Sequence, residues 1–273
     1  LDVVSVFIQD TISLSNSLDV ILGGRFDRFD LSVDNVKTPA DSGSQDDSHF
    51  SPRVGFVYKP QESVSLYASY SETFIPQSGE QYANLGKDAL DADEFTNLEA
   101  GVKWNLKDGY DLSLAIFQID QDFAEDDGND GSTFITTEIT GFETQFVGQL
   151  SENWTLTAGY SFLDGEDKDG KRPKELPENM ISVWNYYQAS EKLGLGIGAI
   201  YQDESIIKND PTPVLPDYFR VDAAAYYAIN EDLRLQLNIE NLLDETYYPS
   251  AHSTHQVTVG APINARISIS GRF

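Results

Sequence analysis

The stretch that decides the fold reads WTLTAGYSF and covers residues 154–162, where larger and smaller side chains alternate at every position. The side chains at the first, third, fifth, seventh and ninth positions are those of Trp154, Leu156, Ala158, Tyr160 and Phe162. A period of two places alternate side chains on opposite faces of an extended chain, whereas a helix repeats every three to four residues. The stretch therefore predicts a β-strand with one apolar face.

The same alternation recurs along most of the chain. It is clearest in residues 97–106, 233–240 and 263–273, where Leu, Ile, Val and Ala alternate with Arg, Asn, Gln, Glu and Ser. No stretch carries apolar residues at the i, i+3, i+4, i+7 spacing of an amphipathic helix. The pattern predicts an all-β protein with about 13 strands of roughly 10 to 17 residues.

The connectors between these strands alternate between short and long. Short turns are predicted near residues 15–18, 61–63, 107–109, 151–153, 190–192 and 230–232. Long loops are predicted near residues 34–49, 75–94, 122–132, 163–178, 203–217 and 244–256. Short turns at one end of the strands and long loops at the other are typical of an outer-membrane β-barrel.

A soluble antiparallel sandwich or barrel is the alternative, since it also alternates. Three features favour the membrane barrel: strands longer than the usual five or six residues, a charged second face, and aromatic residues at strand ends. Beside the short turns these are Tyr58, Trp104, Tyr110, Trp154 and Tyr187; beside the long loops they are Phe74, Phe162, Tyr201 and Phe219. The sequence therefore predicts an antiparallel transmembrane β-barrel with short turns on the periplasmic side.

Strand parity predicts that the chain is part of a longer barrel. Bacterial single-chain barrels usually have an even number of strands with both ends in the periplasm. About 13 strands that end in the periplasm would begin on the outer side, which leaves an unpaired strand edge in lipid.

Composition excludes several classes of function. The chain has 45 acidic and 18 basic residues and a formal net charge of −27, which disfavours nucleic-acid binding. It has no cysteine, so disulfides and thiolate metal sites are excluded, and its three histidines leave little for a transition-metal site. We find no motif of a catalytic nucleophile elbow, zinc protease, phosphate-binding loop or dinucleotide site, and therefore expect no enzyme.

Eight motifs, in order along nearly the whole chain, resemble the barrel of TonB-dependent siderophore receptors. They are residues 6–29, 50–60, 66–79, 97–106, 141–146 with 154–166, 215–227, 237–248 (LNIENLLDETYY) and 266–273 (RISISGRF). The resemblance implies that residues 1–273 are the C-terminal part of a 22-stranded barrel that surrounds a plug domain. No plug domain and no TonB box are recognised within these residues.

The resemblance also implies function, location and partners. It implies an outer-membrane receptor of a Gram-negative bacterium that binds a ferric siderophore and imports it when TonB acts on the missing plug. Further implied partners are outer-membrane lipid, lipopolysaccharide and the barrel-assembly machinery, which would read Phe273 as a signal. The alternatives are a passive porin-like channel and a TonB-dependent receptor for haem, cobalamin or carbohydrate.

The candidate ligand-binding residues are aromatic, imidazole and guanidinium side chains. They are Tyr82, Tyr247, Tyr248, His252 and His255 in the long loops, and Arg25, Arg53 and Arg220 on the strand face predicted to line the lumen. For the arginines the alternative is a structural role, in which they pair with Glu99, Asp222, Glu240 or the plug. No resident cofactor or metal is expected beyond the transported ferric chelate.

The long loops are strongly acidic. Within the predicted boundaries they hold 26 acidic and 7 basic residues, a net charge of −19. Such a rim favours cations and repels anions on approach. It could hold divalent cations that bridge to lipopolysaccharide, and residues 126–131 and 167–170 partly resemble calcium loops. Solvated acidic loops are the alternative explanation.

Deletion of Phe273 tests the predicted assembly signal. The deletion in the full-length receptor should sharply lower its level in the outer membrane, because the terminal strand would no longer be recognised. Immunoblots of purified outer membranes measure this level. An unchanged level would contradict the role of Phe273.

Overall fold

A computed structural model describes residues 1–76, 92–126, 132–208 and 210–272, and most of this chain is extended. The strands are β1 (Asp2–Ser15), β2 (Leu18–Val33), β3 (Gly43–Gln61), β4 (Val64–Ile75), β5 (Asp93–Lys107), β6 (Tyr110–Asp126), β7 (Ser132–Ser151), β8 (Trp154–Asp167), β9 (Asn179–Gln188), β10 (Leu193–Gln202), β11 (Ser205–Lys208), β12 (Asp210–Leu215), β13 (Tyr218–Ala228), β14 (Leu233–Glu240), β15 (Ser250–Ser253), β16 (Gln256–Thr258) and β17 (Asn264–Gly271). A single turn of 3₁₀-helix covers Pro39–Asp41. None of the helical segments in the described ranges has the length and hydropathy needed to cross a bilayer.

Thirteen of the described strands form one sheet in the order β1-β2-β3-β4-β5-β6-β7-β8-β9-β10-β13-β14-β17. Neighbours in sequence are therefore neighbours in space, apart from two small hairpins, β11–β12 and β15–β16, that stand outside this sheet. The all-β class and the number of sheet strands confirm the prediction from the alternating pattern.

The predicted boundaries between strands and long loops differ from the structure in several places. β3 begins at Gly43, β6 extends to Asp126 and β8 extends to Asp167, so strand pairing continues into regions predicted as loops. Polar residues there continue to form backbone hydrogen bonds, because strand pairing does not require an apolar face. Much of the acidity predicted for loops thus lies on extended chain.

The chain divides into two compact units. The first comprises Leu1–Gly101, Phe117–Thr140 and Glu166–Gly170, and the second comprises Val102–Ile116, Gly141–Gly165 and Lys171–Phe273.

In the first unit, one face of β2, β3 and β4 is apolar and exposed. Phe26 lies opposite Phe50, and Leu22 lies opposite Val54 on the same face. Phe26 and Phe50 are 47% and 58% exposed. An exposed apolar face of this kind is characteristic of strands that contact lipid.

The opposite face of these strands is polar. Asp27 lies opposite His49, Arg25 opposite Ser51, and Gly23 opposite Arg53. Arg25 and Arg53, the two arginines of this unit that were predicted to line the lumen, therefore share one face.

In the second unit, exposed aromatic and apolar side chains share one face of β8, β9 and β10. Trp154 lies opposite Tyr187, and Tyr187 lies opposite Leu195; these side chains are 42%, 50% and 43% exposed. The indole N–H of Trp154 donates to the Asn185 side chain at 3.2 Å. An exposed tryptophan and tyrosine beside short turns match the aromatic girdle predicted from the sequence.

Two glycines of β10 allow an aromatic ring to lie against the opposite face of this strand. A Cβ atom on Gly196 or Gly198 would overlap the indole ring of Trp184. Glycine is required here because the ring occupies the space of its missing side chain. The indole therefore covers the β10 backbone.

Cysteine substitutions in β14 test which face meets lipid. The chain has no native cysteine, so single substitutions give an unambiguous signal. Leu235 lies opposite Ile269, and Gln236 lies opposite Ser268. We expect Leu235→Cys in the full-length receptor to resist a water-soluble maleimide and Gln236→Cys to react with it. The reverse labelling would show that the register is shifted by one residue.

An arginine at Leu237 tests the same face by stability. This position is apolar and lies opposite Ile267. At the bilayer midplane, Leu237→Arg should destabilise the barrel by about 2–4 kcal/mol, measured by unfolding in lipid vesicles. Asn238→Arg, on the other face, is the control and should cost much less.

Candidate ligand-binding site

Three segments gather at one end of the second unit. They are residues 171–178 between β8 and β9, the β11–β12 hairpin between β10 and β13, and the β15–β16 hairpin between β14 and β17. We call them together the mouth. They follow β8, β10 and β14, which run in the same direction in an antiparallel sheet, so the three connections emerge from the same edge.

A small apolar cluster joins the two hairpins of the mouth. Ile207, Leu215 and Ala251 are only 6%, 3% and 5% exposed, and Tyr248 packs against them. Among the described residues of the thirteen-stranded sheet, by contrast, Val20 is the only large apolar side chain that is buried. The cluster is therefore a local core that holds the hairpins to one another.

Glu175 connects the third segment to both hairpins. Its backbone N–H donates to the carbonyl of Ile206 at 2.8 Å, and its carboxylate accepts the N–H of Ala251 at 2.6 Å. Its φ of 56° is in the left-handed region, which costs a non-glycine residue about 1–2 kcal/mol. The two hydrogen bonds offset this strain.

A polar network fixes the base of the mouth. Asp203 accepts hydrogen bonds from the Tyr201 hydroxyl at 2.6 Å and from the Asn179 backbone N–H at 3.1 Å. The Tyr201 hydroxyl and the Asn179 side chain hold the pKa of the Asp203 carboxyl below its ordinary value. The Asp203 carboxyl is therefore ionised at a lower pH than an ordinary aspartate. The ionised form stabilises the fold in full above the ordinary pKa of aspartate, and this stabilisation is lost as the pH falls through the lowered pKa.

The segment after β14 is a tight turn built around Asn241, which is only 1% exposed. Its side-chain amide donates to the carbonyls of Glu245 at 2.8 Å and Ala261 at 3.0 Å, and its amide oxygen accepts the Glu245 N–H. Asn241 and Asp244 both have positive φ, of 54° and 52°. Asn and Asp tolerate this conformation better than most residues, which explains their place in the motif.

Tyr247 is part of this structural core. It is only 6% exposed, its ring lies 4.8 Å from that of Tyr218, and its hydroxyl accepts a hydrogen bond from Arg220 at 3.0 Å. A Cβ on Gly260 would overlap the Tyr247 ring, so glycine is required there. Little of the Tyr247 side chain is therefore exposed for contact with a ligand.

The arginines predicted to line the lumen have different surroundings. Arg220 lies 2.9 Å from Asp222, one of the partners expected from the sequence. Arg25 forms an ion pair with buried Asp27 at 2.7 Å, and Ser5 also donates to that carboxylate. Arg53 is exposed and has no ion pair in the described parts of the chain.

The two histidines lie at the tip of the β15–β16 hairpin. His252 and His255 are exposed, and the only side-chain partner of either ring within the described ranges is the Ser253 hydroxyl, 3.0 Å from His255 Nδ1. Tyr248 is half-buried and packs against the apolar cluster. The structure thus places His252 and His255 in one hairpin and Tyr248 in the segment just before it, whereas Arg25 belongs to the other unit.

Several of the predicted site residues lie outside the described ranges. The described parts of the predicted calcium loops form no metal site. Tyr82, Phe273 and residues 127–131 lie outside the described ranges. Asp167 accepts the backbone N–H of Asp169 in a turn at the end of β8. No group of three or more potential metal-binding side chains occurs among the described residues.

Comparison with known proteins identifies the family. Residues 1–242 match the model of the TonB-dependent-receptor-like β-barrel. The chain belongs to the TonB-dependent receptor family. It is thus part of the barrel of an outer-membrane protein of a Gram-negative bacterium.

Relatives in this family match nearly the whole chain. The siderophore receptor PiuA of Acinetobacter baumannii is 26% identical over 98% of the chain, and its crystal structure has a TM-score of 0.83. The metal-pseudopaline receptor CntO of Pseudomonas aeruginosa is 31% identical over 98% of the chain. The ferripyoverdine receptor of P. aeruginosa, solved with ferripyoverdine, has a TM-score of 0.79 at 26% identity over 98% of the chain.

The chain spans about two fifths of the length of these relatives. It covers 40% of PiuA and of CntO by sequence, and 43% and 38% of the PiuA and ferripyoverdine receptor structures. This agrees with the expectation that the chain is part of a larger barrel.

Substitution of Asn241 tests the turn below the mouth. Asn241→Ala should destabilise the full-length receptor by about 2–3 kcal/mol, because buried carbonyl and N–H groups lose their partners. The midpoint of heat modification on gels measures the loss.

Two further variants separate the loss of the Asn241 side-chain amide from the effect of its left-handed backbone conformation. Asn241→Gly keeps the left-handed backbone but removes the amide, so it should recover only part of the loss. Asn264→Ala removes an exposed asparagine side chain and should have little effect. Full recovery in Asn241→Gly would show that the amide contributes nothing.

Proposed function

We propose that this chain is the wall and part of the outer mouth of a receptor that binds a ferric siderophore and imports it. The observation that carries the proposal is the match of 98% of the chain to receptors named for siderophores or metal chelates. In the mouth, an exposed hairpin presents the imidazoles of His252 and His255. Binding and transport, without catalysis, fit this arrangement.

Import would require parts of the protein beyond this chain. In the mechanism implied by the family, TonB pulls on a plug domain after the siderophore has bound outside. The sheet described here would serve as a rigid frame, since its strands are held by backbone pairing. Selection of the chelate would fall to the mouth, with His252, His255 and Tyr248 as candidate contacts. Lipopolysaccharide, the barrel-assembly machinery and loop-bound divalent cations are further proposed partners.

Uptake by cells tests the function. The full-length receptor is expressed in a strain that lacks its own siderophore receptors, and import of ⁵⁵Fe is measured with ferrioxamine B, a ferric triscatecholate and haem. Uptake of a ferric siderophore that disappears when the tonB gene is deleted supports the proposal. Uptake that persists without TonB would indicate a passive channel, and uptake of haem alone would indicate a haem receptor.

The acidic rim predicts the charge of the preferred chelate. A rim with a net charge of −19 over the predicted loops repels a triscatecholate, which carries several negative charges. We therefore expect the receptor to import a neutral or cationic chelate, such as a hydroxamate, in preference to a ferric triscatecholate. Competition between the two on cells measures the preference.

Salt provides the control for this prediction. At physiological ionic strength the Debye length is about 8 Å, so the discrimination should weaken as salt is added. Nanomolar, salt-insensitive uptake of the triscatecholate without uptake of hydroxamates would show that loop charge does not select the ligand.

A further inference from the structure

Glu175, in the segment between β8 and β9, contacts both hairpins of the mouth. Its backbone N–H binds Ile206 at the start of one hairpin, and its carboxylate binds the backbone of Ala251 in the other. Both contacts reach backbone groups, so they fix the position of the chain itself. The two hairpins therefore have a common attachment in addition to their apolar cluster.

The backbone conformation of Glu175 allows this residue to make both contacts at once. Its φ of 56° directs the N–H and the side chain toward different hairpins. A glutamate seldom adopts this conformation, because its Cβ then crowds the following carbonyl. The position would suit glycine on conformational grounds alone, yet glycine could not supply the carboxylate that holds Ala251.

The attached hairpin carries the exposed imidazoles. Ala251 is adjacent to His252, so the hydrogen bond from Glu175 acts one residue away from a candidate ligand contact. Holding binding groups in place before the ligand arrives reduces the entropy lost on binding. The spacing between the hairpins should therefore influence affinity, although Glu175 need not touch the ligand.

We propose that Glu175 is a positioning residue that sets the spacing of the two mouth hairpins and thereby the affinity for the chelate. The affinity part of this inference rests on the proposed function, whereas the spacing can be measured without any ligand.

Four variants of the full-length receptor separate the possible roles of Glu175. Glu175→Gln keeps an oxygen acceptor, and Glu175→Ala removes it. Glu175→Gly also removes it but relieves the backbone strain. Glu204→Ala is the matched control, because this exposed glutamate next to β11 makes no hydrogen bond with the described residues and its loss changes the charge equally.

Distances between spin labels measure the spacing. Labels are attached at Val214→Cys and Thr254→Cys, two exposed positions on the separate hairpins, in a chain without native cysteine. We expect one narrow distance distribution for the wild type, Glu175→Gln and Glu204→Ala. Glu175→Ala and Glu175→Gly should both give a broad distribution. Levels in the outer membrane confirm that each variant is assembled.

Uptake of ⁵⁵Fe-ferrioxamine B measures the consequence for binding. Glu175→Ala and Glu175→Gly should raise the half-saturating concentration about tenfold, the loss expected for one charge-assisted hydrogen bond, with the maximal rate unchanged. Glu175→Gln should stay within about twofold of the wild type.

The two measurements distinguish failure of this inference from failure of the proposed function. A narrow distribution in Glu175→Ala, or full recovery in Glu175→Gly, would overturn the positioning role. Broad distributions with unchanged half-saturation would overturn the link to affinity. A wild-type receptor that imports no chelate would contradict the proposed function, while the distances would still decide whether Glu175 sets the spacing.

Discussion

Hydrogen bonding between neighbouring backbones is the interaction on which the rest of this structure depends. A strand in lipid cannot pair its N–H and C=O groups with water, so each must pair with an adjacent strand. That pairing fixes the register, and the register decides which side chains share a face. In β2 and β3 it places Phe26 opposite Phe50 on one face and Asp27 opposite His49 on the other. The apolar face can then be exposed without a protein core beneath it.

The sequence predicted the parts of the molecule that follow from this pairing. Alternation in residues 154–162 predicted the strand, and the position of aromatic residues at strand ends predicted the exposure of Trp154. Strand ends were predicted less well, since a polar stretch such as the start of β3 pairs as readily as an apolar one. The roles of Asn241 and Glu175 could not be predicted from the alternation of apolar and polar residues, because neither role depends on that pattern. The Asn and Asp residues of LNIENLLDETYY were the available signal for a left-handed turn.

Tyr247 illustrates why a candidate ligand residue is hard to identify from sequence. An aromatic pair in a long loop favours contact with a ligand, because loops carry binding residues more often than core residues do. In the structure Tyr218, Arg220 and Gly260 surround the Tyr247 ring. The neighbouring Tyr248 packs on the cluster that supports the exposed histidines. Residues adjacent in sequence thus have separate surroundings, which only the folded loop defines.

The mouth and the sheet are stabilised by different interactions. The sheet is held by continuous backbone pairing, whereas the mouth depends on a few buried apolar groups and on hydrogen bonds made by Glu175, Asp203 and Asn241. Local stability varies within a protein, and segments with few buried contacts open at lower free energy than the core. Substitutions in the mouth can therefore change its surface while the backbone pairing of the sheet stays intact. Such a division allows one kind of barrel wall to serve receptors for chemically different chelates.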